Sequence, residues 1–298
     1  MTPILRRLML ALFLVLLTAL SGVQVRAQSL LVESAPHDSL LAVEIAAHMQ
    51  PLIDNFQIRV GMYTDFPLRI VVAANHEDYQ NLVRDAGGVL EFSEAHYNRA
   101  QQTVYLRHPS DMKQVERLGV TMLHEYIHAY VDHYWRDAPL WFHEGMAVYF
   151  TEGVGLERSA QYALAALFGH ALTLPEMNEY PAGAASWEMF YTKSALAVQY
   201  LYTRRQERFF DLWEEAPRSD GRFDNALAVA TGQTVESFSD ELERHLRAQV
   251  RWESLLAGST LAWSLVPLLM LIGWARSQLR NRRTERTWGD TDIDESDE

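Results

Sequence analysis

Apolar residues gather in two long runs without a charged residue near the two ends of the chain. Between them lie short alternating groups and then helically spaced ones. "SLLVES" and "PLRIVVAA" alternate or run apolar over strand length, which predicts two strands, the second ending at Asn75. Between them "HDSLLAVEIAAHMQPLIDNF" has helical spacing at Leu40, Val43, Ile45 and Ala46. "NHEDYQNLVRDA" predicts a second helix with Asn75 as its N-cap, and "QQTVYLRHP" a strand stopped by Pro109. Beyond Pro109 the pattern turns helical. One helix is expected from Met112 to about Tyr134 with Asp111 as N-cap, and another opens at Asp137 and Pro139. Further helical patterns run from about Leu156 to His170, Ala184 to Arg205 and Val235 to Arg251. Strands first and helices after predict an α+β fold, its sheet packed against the helix that contains "HEYIH".

The two terminal runs suggest a frame for this domain. Arg6 and Arg7 precede an apolar stretch from Leu8 to Leu20, and Val25-Arg26-Ala27 is an acceptable small-x-small cleavage site. Residues 1–27 therefore read as a secretory signal, with an uncleaved anchor as the alternative. "LLAGSTLAWSLVPLLMLIGW" (Leu255–Trp274) has no charged residue, and about twenty residues at 1.5 Å each match a ~30 Å hydrocarbon core. Trp252 and Trp274 stand at its two ends, and Arg276, Arg280, Arg282, Arg283 and Arg286 follow. That pattern predicts a transmembrane helix over 252–275, with the basic side cytoplasmic. The expected organisation is a signal (1–27), an extracytoplasmic domain (28–251), one span (252–275) and a cytoplasmic tail (276–298).

Composition narrows the chemistry. A net charge of −13 argues against a general nucleic-acid binder, although part of it sits in the terminal "GDTDIDESDE". The absence of cysteine excludes disulfides, thiolate metal ligands and cysteine nucleophiles.

The polar residues of HEYIH stand out against their apolar neighbours Val120, Leu123, Tyr126, Ile127, Tyr130 and Val131. His124 and His128, one helical turn apart, project from the same face and can share one metal ion, with Glu125 beside them as a general base. Alone, the five residues fit two structural histidines equally well. In the next helix, "PLWFHEGMAVYF", Glu144 is a carboxylate among apolar residues and needs a cation or proton. Two histidines and one glutamate would leave a fourth position open, the stoichiometry of a catalytic zinc site. Gly145 would let this helix approach a neighbour closely.

HEYIH followed by Trp141, Glu144, Gly145 and Ala147 resembles the gluzincin metallopeptidases, the thermolysin-related group, and most of all their compact peptidase MA-like members. The resemblance covers most of the region between the two apolar runs and is closest in the two motif helices. It implies a zincin-like fold: a small mixed sheet on the zinc-site helix, then a mostly helical part. It also implies one Zn2+ per chain on His124, His128 and Glu144, with a peptide or protein as substrate. "MFYTKSALAVQYL" resembles the tyrosine-bearing Y-x-K-G-A segment of related gluzincins with Ser194 in place of glycine, which makes Tyr191 the candidate oxyanion donor. A packing role fits Tyr191 nearly as well, since Tyr200 and Tyr202 share its helix.

Two departures bear on this likeness. Thermolysin-like proteins carry an acid one turn after the glutamate ligand, where this chain has Val148, so a partner for the zinc histidines must come from elsewhere; Glu152 is one guess. No G-x-M-E-N stretch is present, which favours endopeptidase over aminopeptidase action. Thr103–Leu106 is a candidate edge for an extended substrate. His133, His143 and His170 read as incidental. The competing readings are a non-catalytic gluzincin-fold binding or assembly module at the membrane surface and a zinc hydrolase acting on a non-peptide bond.

Overall fold

The alternating first half of the chain resolves into a sheet and the second half into packed helices in a computed structural model. It describes residues 30–35, 38–85, 93–155, 158–159, 162, 172–181, 184–248, 267 and 269–271. In chain order the first half comprises β1 (Leu30–Glu33), α1 (Ser39–Val60), β2 (Leu68–Val72), α2 (His76–Asp85), β3 (Ala95–Asn98) and β4 (Thr103–Leu106). The sheet order is β1-β2-β4-β3, with β1, β2 and β4 parallel and β3 antiparallel to β4.

Register decides which face each residue serves. Leu68, Ile70 and Val72 of β2 are buried, while Arg69 points out to Glu33 of β1 at 2.6 Å. Val71 pairs with Tyr105 on the face covered by α2, where Ala73, Tyr79, Val83 and Tyr105 form a small core. Asn75 caps α2 as expected, accepting from the backbone N–H of Asp78 at 3.0 Å. On the other face Val104 and Leu106 meet the layer that contains α1 and α3 (Leu118–Tyr134). In α1 the buried stripe is Ile45, Met49, Ile53, Phe56 and Val60. Leu40 and Val43, which the spacing suggested as core, are 77% and 65% exposed.

The helix of HEYIH begins later than expected. Pro109–Asp111 and Val115–Arg117 form short 3-10 turns, so Asp111 lies in a turn capped by His108 and α3 starts at Leu118. Next comes α4 (Leu140–Thr151), with every residue from Trp141 to Val148 buried, followed by α5 (Ala184–Arg204), α6 (Gln206–Glu215), α7 (Phe223–Thr231) and α8 over 235–248. Helix α4 is sandwiched between α3 and α5. A Cβ at Gly145 would stand 2.3 Å from the carbonyl oxygen of Ser194, so only glycine permits this approach. The expected close packing at Gly145 is therefore present, with α5 as the partner. Aromatic rings seal the far side: Phe142 meets Phe223 at 4.6 Å between centroids, and Trp135 meets Trp213 at 5.8 Å.

The α+β class holds, but the membrane-spanning helix expected with it is corrected. No helix among the described residues is long and apolar enough to cross a membrane. The two with sufficient length, α1 and α5, interrupt their apolar runs with residues such as Glu44, Asp54, Arg59, Glu188 and Lys193. Such charges belong to helices that bury one face against protein, not a whole circumference in lipid. Of 252–275, only Pro267 and Leu269–Leu271 are described; the expected signal (1–27) and tail (276–298) lie outside the described residues. The chain divides into two compact units, Met1–Leu242 and Glu243–Glu298, and the fold above is that of the first, which ends within α8 at Leu242.

Two outcomes follow from this packing. Gly145→Ala forces α4 off α5 and lowers stability by about 1–3 kcal/mol, read as a drop in the thermal melting temperature. The Glu241 carboxyl would be raised by burial, but hydrogen bonds from Tyr200, Arg205 and Gln233 outweigh that and hold it down to about 2. Its folded value lies below the ~4.3 of an unfolded glutamate, so it stabilises the fold above that pH and progressively less as pH falls toward 2. The melting-temperature gap between the wild-type protein and Glu241→Gln is expected to be open at pH 6 and to close as the pH is lowered to about 2.

Candidate metal centre

Helix α3 presents His124, His128 and Asp132 at i, i+4 and i+8, one stripe along one face, while Tyr126, Ile127, Tyr130 and Val131 are buried. Helix α4 crosses it and delivers Glu144. Glu144 Oε2 stands 3.5 Å from His124 Nε2 and 3.8 Å from His128 Nε2, separations too long for strong hydrogen bonds. The two imidazoles meet edge to face, their centroids 4.8 Å apart. All three potential ligand atoms lie within 4.8 Å of one another, so these residues could hold a metal ion. Glu144 is 2% exposed, and its Oε2 is buried without a hydrogen-bond donor. A buried carboxylate oxygen aimed at two imidazole nitrogens and satisfied by neither is what a cation would complete.

Burial and neighbouring charge pull the site's groups in different directions. Burial would raise the Glu144 carboxyl, but His128, His124 and the Tyr180 hydroxyl outweigh it and hold it down to about 2. Burial pulls the His128 imidazole down to about 4, and His124 beside it adds to the fall, so the ring is neutral as a ligand must be. His124 is pushed down by burial, but Glu144 together with Glu125 and Glu152 outweighs that and leaves it above its ordinary value. Burial drives Glu125 the other way, up to about 7, with Glu144 adding to the rise. Its Oε2 accepts the backbone N–H of Tyr97 at 2.7 Å, which fixes the carboxyl beside the two histidines.

These groups line a cleft of about 280 Å³ that also includes His96, Arg99, Tyr180 and Tyr191. A second cleft of about 240 Å³, reaching Arg117 and Glu152, shares Ser93, His124 and Glu125 with it. Space therefore lies on two sides of the histidine–glutamate pair. Tyr191 is brought to the cleft as expected, on the inner side of α5. Tyr180, which was not anticipated, lies there too, its hydroxyl donating to Glu144 Oε1 at 2.5 Å.

Other expectations fare unevenly. Val148 is buried, and Glu152 bonds Arg117 and Arg158 instead of His124 or His128. His133 bonds Thr64 and stacks on Phe66, outside both clefts, whereas His143 lines the first cleft with its Nε2 3.4 Å from Asp132 Oδ1. Burial takes His143 down to about 3, so it is neutral. His170 lies outside the described residues. Thr103–Leu106 is an inner strand between β2 and β3, buried at all four positions; the outer strand beside the site is β3. Asp132 was overlooked, though its i+4 spacing from His128 extends the stripe in plain sight; Arg99 pairs with it at 3.1 Å. Tyr180 and β3 gave no such signal.

The chain matches no protein-family model and no curated protein.

Removing one of three ligands should empty the site. Glu144→Ala, dialysed after metal loading, is expected to retain far less than the about one metal ion per chain of the wild-type protein, measured by elemental mass spectrometry.

Proposed function

We propose that this protein is a zinc-dependent metallopeptidase of the gluzincin type, cleaving within peptide chains. The observation that carries the reading is the convergence of His124, His128 and Glu144 with Glu125 alongside, in a cleft that continues on both sides. A donor set of two imidazoles and one carboxylate, in a chain without cysteine, suits Zn2+ and leaves a coordination position for a reactant. Zinc bound there supplies a Lewis acid that makes water more acidic and polarises a carbonyl.

The protein residues divide the remaining work. Glu125 is held near neutrality and has one oxygen engaged by Tyr97, so Oε1 is the atom that takes a proton from the attacking water. Water adds to the carbonyl carbon, the C–N bond breaks, and Glu125 passes that proton to the leaving amine. Tyr191 lines the cleft opposite α3 and donates its hydroxyl to the oxygen that gains charge. Strand β3, the outermost strand on the site's side among the described residues, is the edge along which an extended substrate would lie, in place of the inner strand β4. Clefts on both sides of Glu125 favour a chain that passes through over one that ends there. The basic-then-apolar N-terminal run supports a site of action outside the cytoplasm.

Digestion of a peptide library, followed by mass spectrometry, tests the reading. Glu125→Gln should keep its zinc and lose hydrolysis; zinc-loaded protein with retained cleavage would remove Glu125 as the base. Tyr191→Phe should lower kcat by roughly 10²–10³-fold at unchanged metal content, and unaltered kinetics would place the donor elsewhere. Zinc-loaded wild-type protein that cleaves no member of the library would leave a binding module as the better description.

A further inference from the structure

The segment between Leu172 and Pro181 brings Tyr180 to the cleft and is pinned along its length. The buried Lys193 Nζ donates to the carbonyl of Leu172, and Leu174 N–H donates to Ser239 Oγ at 3.1 Å. Thr173 and Glu176 close a reciprocal capping box, with Glu176 Oε2 accepting from Thr173 N–H at 2.7 Å and from its hydroxyl at 2.8 Å. Trp187 of α5 donates its Nε1–H to the Pro181 carbonyl at 2.9 Å and stacks on the Tyr180 ring, 5.2 Å between centroids and 11° from parallel. Tyr180 is thus held on both sides: its residue is 44% exposed, yet its hydroxyl reaches a carboxylate that is 2% exposed.

We propose that Tyr180 is a positioning residue that makes Glu144 a one-oxygen metal ligand, its hydroxyl claiming Oε1 so that Oε2 alone faces His124 and His128. The proposal rests on the metal-site reading above but not on the reaction assigned to it. The terminal torsion of a glutamate is broad, so a carboxylate in an apolar helix has no intrinsic reason to hold one plane. A hydroxyl donating to one oxygen at 2.5 Å is a strong charge-assisted bond that sets that plane. The other oxygen, buried and without a donor, is left as the only one available to a cation. The anchored strap fixes the hydroxyl before any metal arrives, which removes part of the ordering that ligation would otherwise require. Tyr180 and Tyr191, both lining the cleft, then have separate roles: Tyr180 acts on the metal's ligand, Tyr191 on the reactant.

Metal affinity, not turnover, tests this. Zn2+ is titrated into wild-type protein, Tyr180→Phe and Tyr191→Phe in competition with a chromophoric chelator, and the absorption of each Co2+-loaded form is recorded. Tyr180→Phe keeps the ring stack and is expected to raise the Kd for Zn2+ about 10–100-fold. The Co2+ bands should weaken as the freed carboxylate turns two oxygens to the metal. Tyr191→Phe should match the wild type in both readouts. Trp187→Leu, which loosens Tyr180 without removing it, should move Kd the same way by less. An unchanged or lower Kd with an unchanged Co2+ spectrum in Tyr180→Phe overturns the proposal. Wild-type protein that takes up no Zn2+ overturns it together with the metal reading. Wild-type protein that binds Zn2+ and cleaves nothing, with the Tyr180→Phe shift intact, supports Tyr180 and removes only the peptidase.

Discussion

A carboxylate that has been taken out of water must be balanced where it lies, and in this protein the carboxylate is Glu144, set in a helix buried from Trp141 to Val148. Helix α4 can be buried on all sides only because something answers that charge. His124 and His128 approach one oxygen from α3 and the Tyr180 hydroxyl takes the other from the opposite wall. The requirement links three parts of the chain that are far apart in sequence, and the rest of the helical half is arranged around it.

Close packing makes that meeting possible. Gly145 follows Glu144 directly, and its lack of a Cβ lets the α5 backbone lie against α4 at Ser194. The same contact brings Tyr191 of α5 to the cleft, so one glycine serves the core and the site together. On the sheet side, Tyr97 of β3 ties its backbone N–H to Glu125, and Arg99 at the end of β3 pairs with Asp132 of α3. The outer strand and the motif helix are thereby coupled through two side chains of α3. Site geometry and fold stability depend on the same few interfaces.

The contrast between Glu125 and Glu144 shows how position alone can separate two identical side chains. Both are buried, yet Glu144 faces two imidazoles and a hydroxyl and stays ionised, whereas burial, with the Glu144 charge adding to it, raises Glu125 to about 7. Opposed shifts in adjacent carboxyls are the arrangement expected where one group ligates and the other exchanges protons.

Local spacing was enough to read much of this molecule. The i, i+4 histidines, the glutamate in an apolar helix, the α2 cap at Asn75 and the strands at β1, β2 and β4 all depend on neighbours within a turn or a pleat. The α+β order was legible for the same reason. What the sequence could not settle depends on partners distant along the chain. Strand β3 is four residues of mixed polarity, recognisable only by its pairing with β4, and that pairing moved the exposed edge away from Thr103–Leu106. The inward stripe of α1 shifted to Ile45, Met49, Ile53, Phe56 and Val60 because the sheet and α3, not the helix itself, choose which apolar residues are covered. Tyr180 reaches Glu144 across 36 residues with no periodicity to announce it. Periodicity determined which side chains share a face; only the tertiary structure decided which faces meet, because burial and charge compensation are properties of contacts between elements.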